Sequence, residues 1–190
     1  MATILTDGTV LLRPLVMEDI EPLWGLYSPD IFEHMLNKIE SKEHLEAWIS
    51  SSLKAEGSLT FTIQHAQTYE IMGTTRIYSI DLINRTCEIG STFYGEAYQR
   101  TGINTKTKML LLSYCFDTLG MMRVQFKTDI ENERSQRALE RLGATREGVL
   151  RNERVRSNGK VRHAVVYSIV DSEWPIVKVH IEMLMNKYTV

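Results

Sequence analysis

The chain has 190 residues, 43% of them hydrophobic, and a formal net charge of -2 at pH 7. This length is enough for one well-buried core and too short for two independent domains, so we expect residues 1–190 to form a single domain. The charge balance gives no overall basic surface for nucleic acid, and no run of 18 apolar residues predicts a membrane span. Because the N-terminus also lacks the pattern of a secretion signal, we expect a cytoplasmic protein.

The first half of the chain is predicted to contain a strand, two helices and three more strands. The first strand is residues 9–13, and helices follow at about 18–27 and 41–56. Ser41 is a plausible N-cap of the second helix, which ends at Gly57. Hydrophobic and polar residues then alternate from Leu59 to Ile63, from Ile71 to Tyr78 and from Thr86 to Phe93. That period of two predicts three antiparallel strands.

The second half is predicted to contain further helices and strands in turn. Apolar residues at helical spacing begin at Ile103 and stop near Gly120. The remaining elements are a strand at 123–128, a helix from Asn132 to Gly143, two strands joined by a hairpin turn at 157–160, and a helix at 172–188. The whole order predicts a mixed α/β fold.

Cysteine and histidine residues suggest no metal site and no disulfide framework. Cys87 and Cys115 both lie in apolar patterns, where cysteine usually serves as a small buried hydrophobe. The histidines lack metal-ligand spacing, and all are interpreted as surface or packing residues: His34, His44, His65, His163 and His180. No Gly-x-Ser-x-Gly or Cys/His arrangement indicates a covalent acyl-enzyme.

A possible phosphate-binding loop lies at Gln99-Arg100-Thr101-Gly102-Ile103-Asn104, between a strand and a helix. Backbone amides in such a loop, together with the positive end of the helix dipole, can hold a diphosphate, and Gly102 permits close approach. Taken alone, the motif also fits an ordinary strand-to-helix turn in which glycine is needed only for steric reasons and binds nothing.

The order of several motifs makes the binding interpretation stronger. After the loop come Asp129-Ile130-Glu131-Asn132-Glu133-Arg134-Ser135, then Leu142-Gly143-Ala144, then Glu147-Gly148-Val149-Leu150-Arg151. Together with the loop, this series resembles the RimJ/RimL-type branch of the GNAT superfamily of N-acetyltransferases over roughly residues 9–170. The resemblance implies a central twisted, largely antiparallel sheet with one splayed parallel strand pair, flanked by helices.

The same resemblance implies a site for acetyl-CoA in the opening between residues 86–93 and 123–128. The pantetheine arm would pair with the backbone of Thr92 and Phe93, as an added strand does. The diphosphate would meet the loop and the start of the helix, with contacts from Gln99, Arg100, Thr101, Gly102, Ile103, Asn104 and Thr105. Asn104 replaces the usual Gly or Ala, although backbone donation survives, and Lys106 would help neutralise phosphate.

Asn132 and Ser135 are the candidate residues at the start of the second helix of this half. Asn132 is either an N-cap alone or an N-cap that also contacts the cofactor. In the enzymes that this chain resembles, a serine at the place of Ser135 is proposed to protonate the departing CoA thiolate. The alternative is an exposed helix serine without a role in the reaction.

Glu88 is the candidate general base, because a substrate amine is largely protonated at neutral pH and must lose a proton to attack the thioester. Strand alternation predicts that Glu88, Gly90 and Thr92 face the cleft, with Cys87, Ile89 and Phe93 facing the core. The alternative is a surface or paired carboxylate on a half-exposed sheet.

The expected reaction is direct acetyl transfer from acetyl-CoA to a primary amine, which is either a small molecule or a protein N-terminal α-amine. Residues 1–60 carry four basic and ten acidic side chains, which suits a cationic acceptor. Two other hypotheses stay open: a non-catalytic CoA-binding module, and an RNA-binding protein that uses the arginine-rich segment 147–162. That segment lacks the interleaved aromatics that stack bases, so no nucleic-acid partner is expected. A homodimer is possible.

Overall fold

A single mixed sheet with helices on both faces is formed by residues 3–32, 39–156 and 159–187, the part of the chain that the computed structural model describes. The strands are Leu5–Thr6 (β1), Val10–Pro14 (β2), Leu59–His65 (β3), Ile71–Asp81 (β4), Thr86–Tyr94 (β5), Arg123–Asp129 (β6), Thr145–Val155 (β7) and Val161–Val170 (β8). The α-helices are Ile20–Trp24 (α1), Pro29–Phe32 (α2), Lys42–Lys54 (α3), Ile103–Ser113 (α4), Glu133–Arg141 (α5) and Trp174–Asn186 (α6).

The predicted elements are present with boundaries shifted by a few residues. Ser41 caps α3, since its side chain accepts a hydrogen bond from the His44 amide at 3.3 Å. The helix predicted up to Gly120 is α4 followed by a π-helical turn, Tyr114–Thr118. Three short elements were missed: β1, α2 and the 3₁₀ turn Glu96–Tyr98.

The sheet has the strand order β1-β2-β3-β4-β5-β6-β8-β7 among the described residues. All neighbouring strands are antiparallel except β5 and β6, which are parallel. A parallel pair needs a crossover, and the chain supplies it as α4. The predicted mixed α/β fold with one parallel pair is therefore confirmed.

Two hydrophobic clusters lie on the opposite faces of the sheet. The larger cluster joins the sheet to α4, α5 and α6, whose buried members include Leu111, Leu139 and Ile181. The smaller cluster joins it to α1 and α3, where Trp48 lies 6.4 Å from the ring of Phe93 on β5. Because both faces are covered, the polar positions of the inner strands are buried too, among them Thr62 and Thr74.

The hairpin between β7 and β8 is closed by mutual backbone hydrogen bonds. The amide of Arg156 donates to the Lys160 carbonyl at 2.8 Å, and Gly159 has φ of +80°. Ser157 and Asn158 of the predicted turn lie outside the described residues, as do His34 and the predicted helix end at Tyr188. Among the helices of the described ranges, none combines the length and hydrophobicity needed to span a bilayer.

Candidate active site

A wedge-shaped gap opens between the two parallel strands. β5 and β6 pair at three positions, Thr86 with Arg123, Cys87 with Val124 and Glu88 with Gln125. Beyond that point, the described residues show no pairing between them, because β5 continues along β4 and β6 continues along β8. The predicted splay between the two strands is therefore present. Glu88 lies at the closed end of the gap, and the last residues of β5 and β6 lie at its open end.

A β-bulge at Ser91 reverses the faces of the divergent half of β5. Arg76 of β4 pairs with Gly90 and Thr74 pairs with Phe93, so two residues of β5 oppose one of β4. Ser91 has φ of +48°, in the left-handed region. The extra residue turns the side chain of Thr92 toward α4 and that of Phe93 toward α3. The prediction that Thr92 shares the face of Glu88, opposite Phe93, is wrong for this reason.

The loop after β5 presents a series of unpaired amides at the open end of the gap. Gly102 is the N-cap of α4 with φ of +88°, and Arg100 has φ of +63°. The first bond of the helix is from the Lys106 amide to the Gly102 carbonyl, at 3.1 Å. None of the amides of residues 100–105 donates a hydrogen bond to another described residue. These donors, at the positive end of the helix dipole, form an arrangement suited to an anion.

Most side chains of the loop make contacts that stabilise its shape. Gln99 donates from Nε2 to the Tyr94 carbonyl at 3.1 Å, and the Tyr94 hydroxyl donates to Asn104 Oδ1 at 3.2 Å. Thr101 donates from Oγ1 to the Tyr98 carbonyl at 2.7 Å. Thr105 is fully buried, and Ile103 packs against the larger hydrophobic cluster. The loop therefore contributes its backbone, while most of its side chains stabilise its conformation.

Helix α5 contacts this loop through arginines in its first and last turns. Arg134 donates to Gln99 Oε1 at 2.7 Å, and Arg141 donates to Thr105 Oγ1 at 3.2 Å. A cavity of about 350 Å³ lies here, lined by Ile31, Glu96, Gln99, Arg100 and Arg134. The structure therefore brings the two predicted cofactor segments, residues 99–105 and 132–135, into contact.

Asn132 caps α5, as predicted. Its Oδ1 accepts a hydrogen bond from the Ser135 amide at 3.0 Å. Ser135 lies in the first turn of the helix and is partly buried, and its hydroxyl has no hydrogen-bond partner among the described residues. That hydroxyl is therefore available to an incoming group.

Lys106 lies against the N-terminal hairpin and not at the loop. Its Nζ donates to Thr9 Oγ1 at 2.8 Å and lies 3.9 Å from Asp7 Oδ2. The expectation that its ammonium would help neutralise phosphate is not supported by this position. Arg100 and Arg134 instead line the cavity beside the loop.

Glu88 is buried, with 4% of its surface exposed, and both carboxylate oxygens are hydrogen-bonded. The Tyr78 hydroxyl donates to Oε1. Gln125 Nε2 lies 2.9 Å from Oε2, and Lys127 Nζ lies 3.0 Å from the same atom. Burial, followed by the Glu88 charge, raises the pKa of Tyr78, which therefore stays protonated and keeps donating.

These partners of Glu88 were missed by the sequence analysis. Tyr78 pairs directly with Glu88 in the antiparallel register, and Gln125 pairs with it in the parallel one. Aligning the predicted strands β4, β5 and β6 would have found both residues, because directly opposed side chains lie on the same face of a sheet. Lys127 follows two residues after Gln125 on the same face.

Lys108 is a second missed feature, buried where α4 packs on the divergent half of β5. Its Nζ donates to Thr92 Oγ1 at 2.9 Å, and the Thr92 hydroxyl lies 2.7 Å from that of Thr75. No described carboxylate pairs with it, and burial lowers its pKa to about 7. Its spacing from Thr105 and Leu112, three and four residues away, places it on the buried face of the helix.

Replacing Lys108 with methionine is expected to stabilise the protein by about 1–3 kcal/mol at pH 7, because it removes a desolvated ammonium. In the native protein the pKa is lowered, so between pH 7 and 10.5 the unfolded chain holds more protons than the folded one. The free energy of unfolding of the unsubstituted protein should therefore rise with pH across that window, and this increment should be absent from the variant.

Chemical denaturation at pH 7 and pH 10 measures the free energy of unfolding of each variant and its change with pH. The matched control is Lys106→Met, which removes a less buried lysine of the same helix and should leave the pH increment intact. A Lys108→Met variant that is less stable than the parent at pH 7, with the same pH dependence, would contradict this interpretation.

Groups of three or more His, Cys, Asp or Glu side chains able to hold a metal ion are not found within residues 3–32, 39–156 and 159–187. Cys87 and Cys115 are free and buried, with 3.6 Å between their Sγ atoms. Their burial matches the interpretation as packing residues.

Comparison with known proteins identifies the fold and the family. Residues 9–145 match the family model described as an acetyltransferase (GNAT) domain. The chain is 28% identical over 176 residues to the uncharacterized N-acetyltransferase YoaA of Bacillus subtilis, covering 90% of this chain and 98% of that protein. A crystal structure of a protein from T. thermophilus, provisionally named an acetyltransferase, has a TM-score of 0.88 and 33% identity, covering 95% and 96% of the two chains.

A further relative bears on the branch of the family. YdaF of Bacillus subtilis, provisionally named a ribosomal N-acetyltransferase, is 31% identical over 104 residues, which is 55% of this chain and 56% of that protein. This match is consistent with the RimJ/RimL-like branch that the motifs resemble. The chain belongs to the GNAT acetyltransferase family and is an acyltransferase.

Proposed function

We propose that this protein transfers acetyl from acetyl-CoA to a primary amine by direct attack within a ternary complex. The observation that carries the proposal is the series of unpaired amides at residues 100–105, beside a gap in the sheet. Such donors match a diphosphate, and the gap exposes strand edges to which a pantetheine arm can add. When bound, acetyl-CoA supplies an activated thioester.

Different residues of this chain would then bind different parts of acetyl-CoA. The amides from Arg100 to Thr105 bind the diphosphate, and Arg100 and Arg134 add positive charge at the cavity. The backbone of Thr92 and Phe93, in the divergent half of β5, directs the arm toward Glu88. Because Thr92 is bonded to Lys108 and Thr75, its position in the gap is constrained.

Glu88 is the proposed proton acceptor. Its Oε2 already accepts a hydrogen bond from Gln125 and forms an ion pair with Lys127, whereas Oε1 accepts from Tyr78 alone. A carboxylate offers about four lone-pair positions, so Oε1 retains one for the proton of the attacking amine. The hydrogen bonds from Tyr78 and Gln125 fix the orientation of the carboxylate at the closed end of the gap.

Ser135 is the proposed proton donor to the departing thiolate. Its free hydroxyl lies in the first turn of α5, where the helix dipole favours negative charge. Asn132 would act mainly by capping this turn, since its Oδ1 accepts from the Ser135 amide.

Two observations bear on the acceptor class. The provisional name of YdaF supports a protein N-terminal α-amine, and the acidic first sixty residues support a cationic one. Arg156 and Arg162, from the arginine-rich segment, pair with Asp129 and Glu153, which leaves less free positive charge for RNA. A homodimer and a cytoplasmic location stay predictions.

A screen of amines with acetyl-CoA, followed by release of the CoA thiol, tests the proposal. The panel should contain free amino acids, their amides, polyamines, aminoglycosides and peptides with free N-termini. We expect thiol release that depends on both the protein and one class of amine. If acetyl-CoA binds and no amine on the panel accelerates thiol release, the protein is a CoA-binding module and not a transferase.

A further inference from the structure

An arginine without an anionic partner lies near Glu88, on the same face of the sheet. Arg76 of β4 is partly buried, and its Nε donates to Ser58 Oγ at 2.6 Å. Its Cζ lies 5.6 Å from the centroid of the Tyr78 ring. No described carboxylate pairs with this guanidinium, and its two terminal nitrogens have no acceptor among the described residues.

Three other arginines in or beside this sheet have anionic partners. Arg123 pairs with Glu147, and Arg162 lies 3.0 Å from a Glu153 oxygen. Arg156 lies 2.6 Å from Asp129. At Arg76, burial lowers the pKa of the guanidinium and no anion offsets that cost. The four N–H donors on the terminal nitrogens of this partly buried cation are therefore available to an acceptor from a bound molecule.

The register of the strands places this cation beside the proposed base. Tyr78 pairs with Glu88 and Arg76 pairs with Gly90, so these four residues share one face. Gly90 adds no side chain there, and a Cβ at Gly90 would come within 2.8 Å of the Tyr78 hydroxyl. The Tyr78 ring thus separates the guanidinium from the Glu88 carboxylate, with Arg76 against the ring and Glu88 at its hydroxyl.

We propose that Arg76 binds a carboxylate of the acceptor, so that the enzyme prefers amines that carry a carboxylate a few bonds from the nitrogen, such as free amino acids. A guanidinium fits a carboxylate through two parallel N–H donors, which adds both affinity and orientation. With its carboxylate on Arg76, the acceptor would have its amine directed toward Glu88. This inference rests on the proposed acetyl transfer and specifies its substrate class.

The test is the ratio of kcat/KM between each free amino acid and its carboxamide, measured by thiol release. We expect the acid to be preferred at least about 10-fold, as for a charge-assisted hydrogen bond. The carboxamide has the larger fraction of uncharged amine at pH 7.5, so a preference for the acid is not explained by deprotonation.

Variants at Arg76 separate its role from a structural one. Arg76→Met should bring the ratio close to one, and Arg76→Lys should restore part of it, because a charge remains without the bidentate geometry. The matched control is Arg151→Met, an exposed arginine on β7, which should keep the ratio of the parent. Melting temperatures of all variants establish that they are folded.

Two results would overturn the inference. Equal rates for acids and carboxamides in the parent, or an acid preference that survives in Arg76→Met, would remove Arg76 from acceptor recognition and leave acetyl transfer intact. Absence of thiol release with every amine would instead overturn the proposed function itself, and this inference with it.

Discussion

Replacing Gly102 with valine is expected to weaken acetyl-CoA binding at least about 100-fold, or about 2.7 kcal/mol. Gly102 has φ of +88°, a conformation in which a β-branched residue is strained by about 1–3 kcal/mol. Relief of that strain requires rotation of the backbone, which would turn the neighbouring amides away from a common anion. Isothermal titration calorimetry with acetyl-CoA measures the loss.

A matched control exists at the other end of the same helical segment. Gly120 also has positive φ, +64°, and a Cβ there would meet no atom within 4 Å. Gly120→Val should therefore carry a similar backbone strain and reduce stability, while acetyl-CoA affinity stays unchanged. Equal affinity in both variants would show that the loop at residues 100–105 does not bind the cofactor.

Replacing Glu88 with glutamine is expected to lower kcat about 10²- to 10³-fold, the usual contribution of a positioned general base. The glutamine amide has no carboxylate oxygen to take the proton of the amine. Binding of acetyl-CoA should change little, because the predicted cofactor contacts lie at Gly102 and the open end of the gap. Steady-state kinetics and calorimetry on the same preparation separate the two effects.

The control for this variant is Asp117→Asn. Asp117 is an exposed carboxylate after α4 that pairs with Lys178 and accepts from Trp174 Nε1, both on α6, so its loss removes a carboxylate with no bond to the Glu88 partners. We expect kcat within about twofold of the parent, as is usual for a surface substitution remote from the site. If Glu88→Gln retains full kcat, a water chain or another group accepts the proton.

Much of the fold could be predicted from periodicity, because the buried faces are continuous. The alternation in β3, β4 and β5 and the Asn132 cap of α5 follow from local chemistry that a sequence carries. The parallel pairing of β5 with β6 was expected from the family resemblance. Periodicity alone could not supply it, since it gives no information about which distant strands pair.

The parts that could not be predicted depend on tertiary contacts or on single-residue irregularities. The bulge at Ser91 carries no sequence signal, because serine is an ordinary strand residue until its φ becomes positive, so the faces of Thr92 and Phe93 were wrongly assigned. Lys108 was missed because a charged residue in a helix usually faces solvent. Arg76 stands out only because no described carboxylate forms an ion pair with it, and no sequence pattern reports that.

A crystal structure with acetyl-CoA bound would show where the cofactor lies. We expect diphosphate oxygens within about 3.2 Å of several amides of residues 100–105, with the pantetheine arm between β5 and β6. A diphosphate bound elsewhere on the molecule, or β5 and β6 paired along their whole length around no ligand, would contradict it.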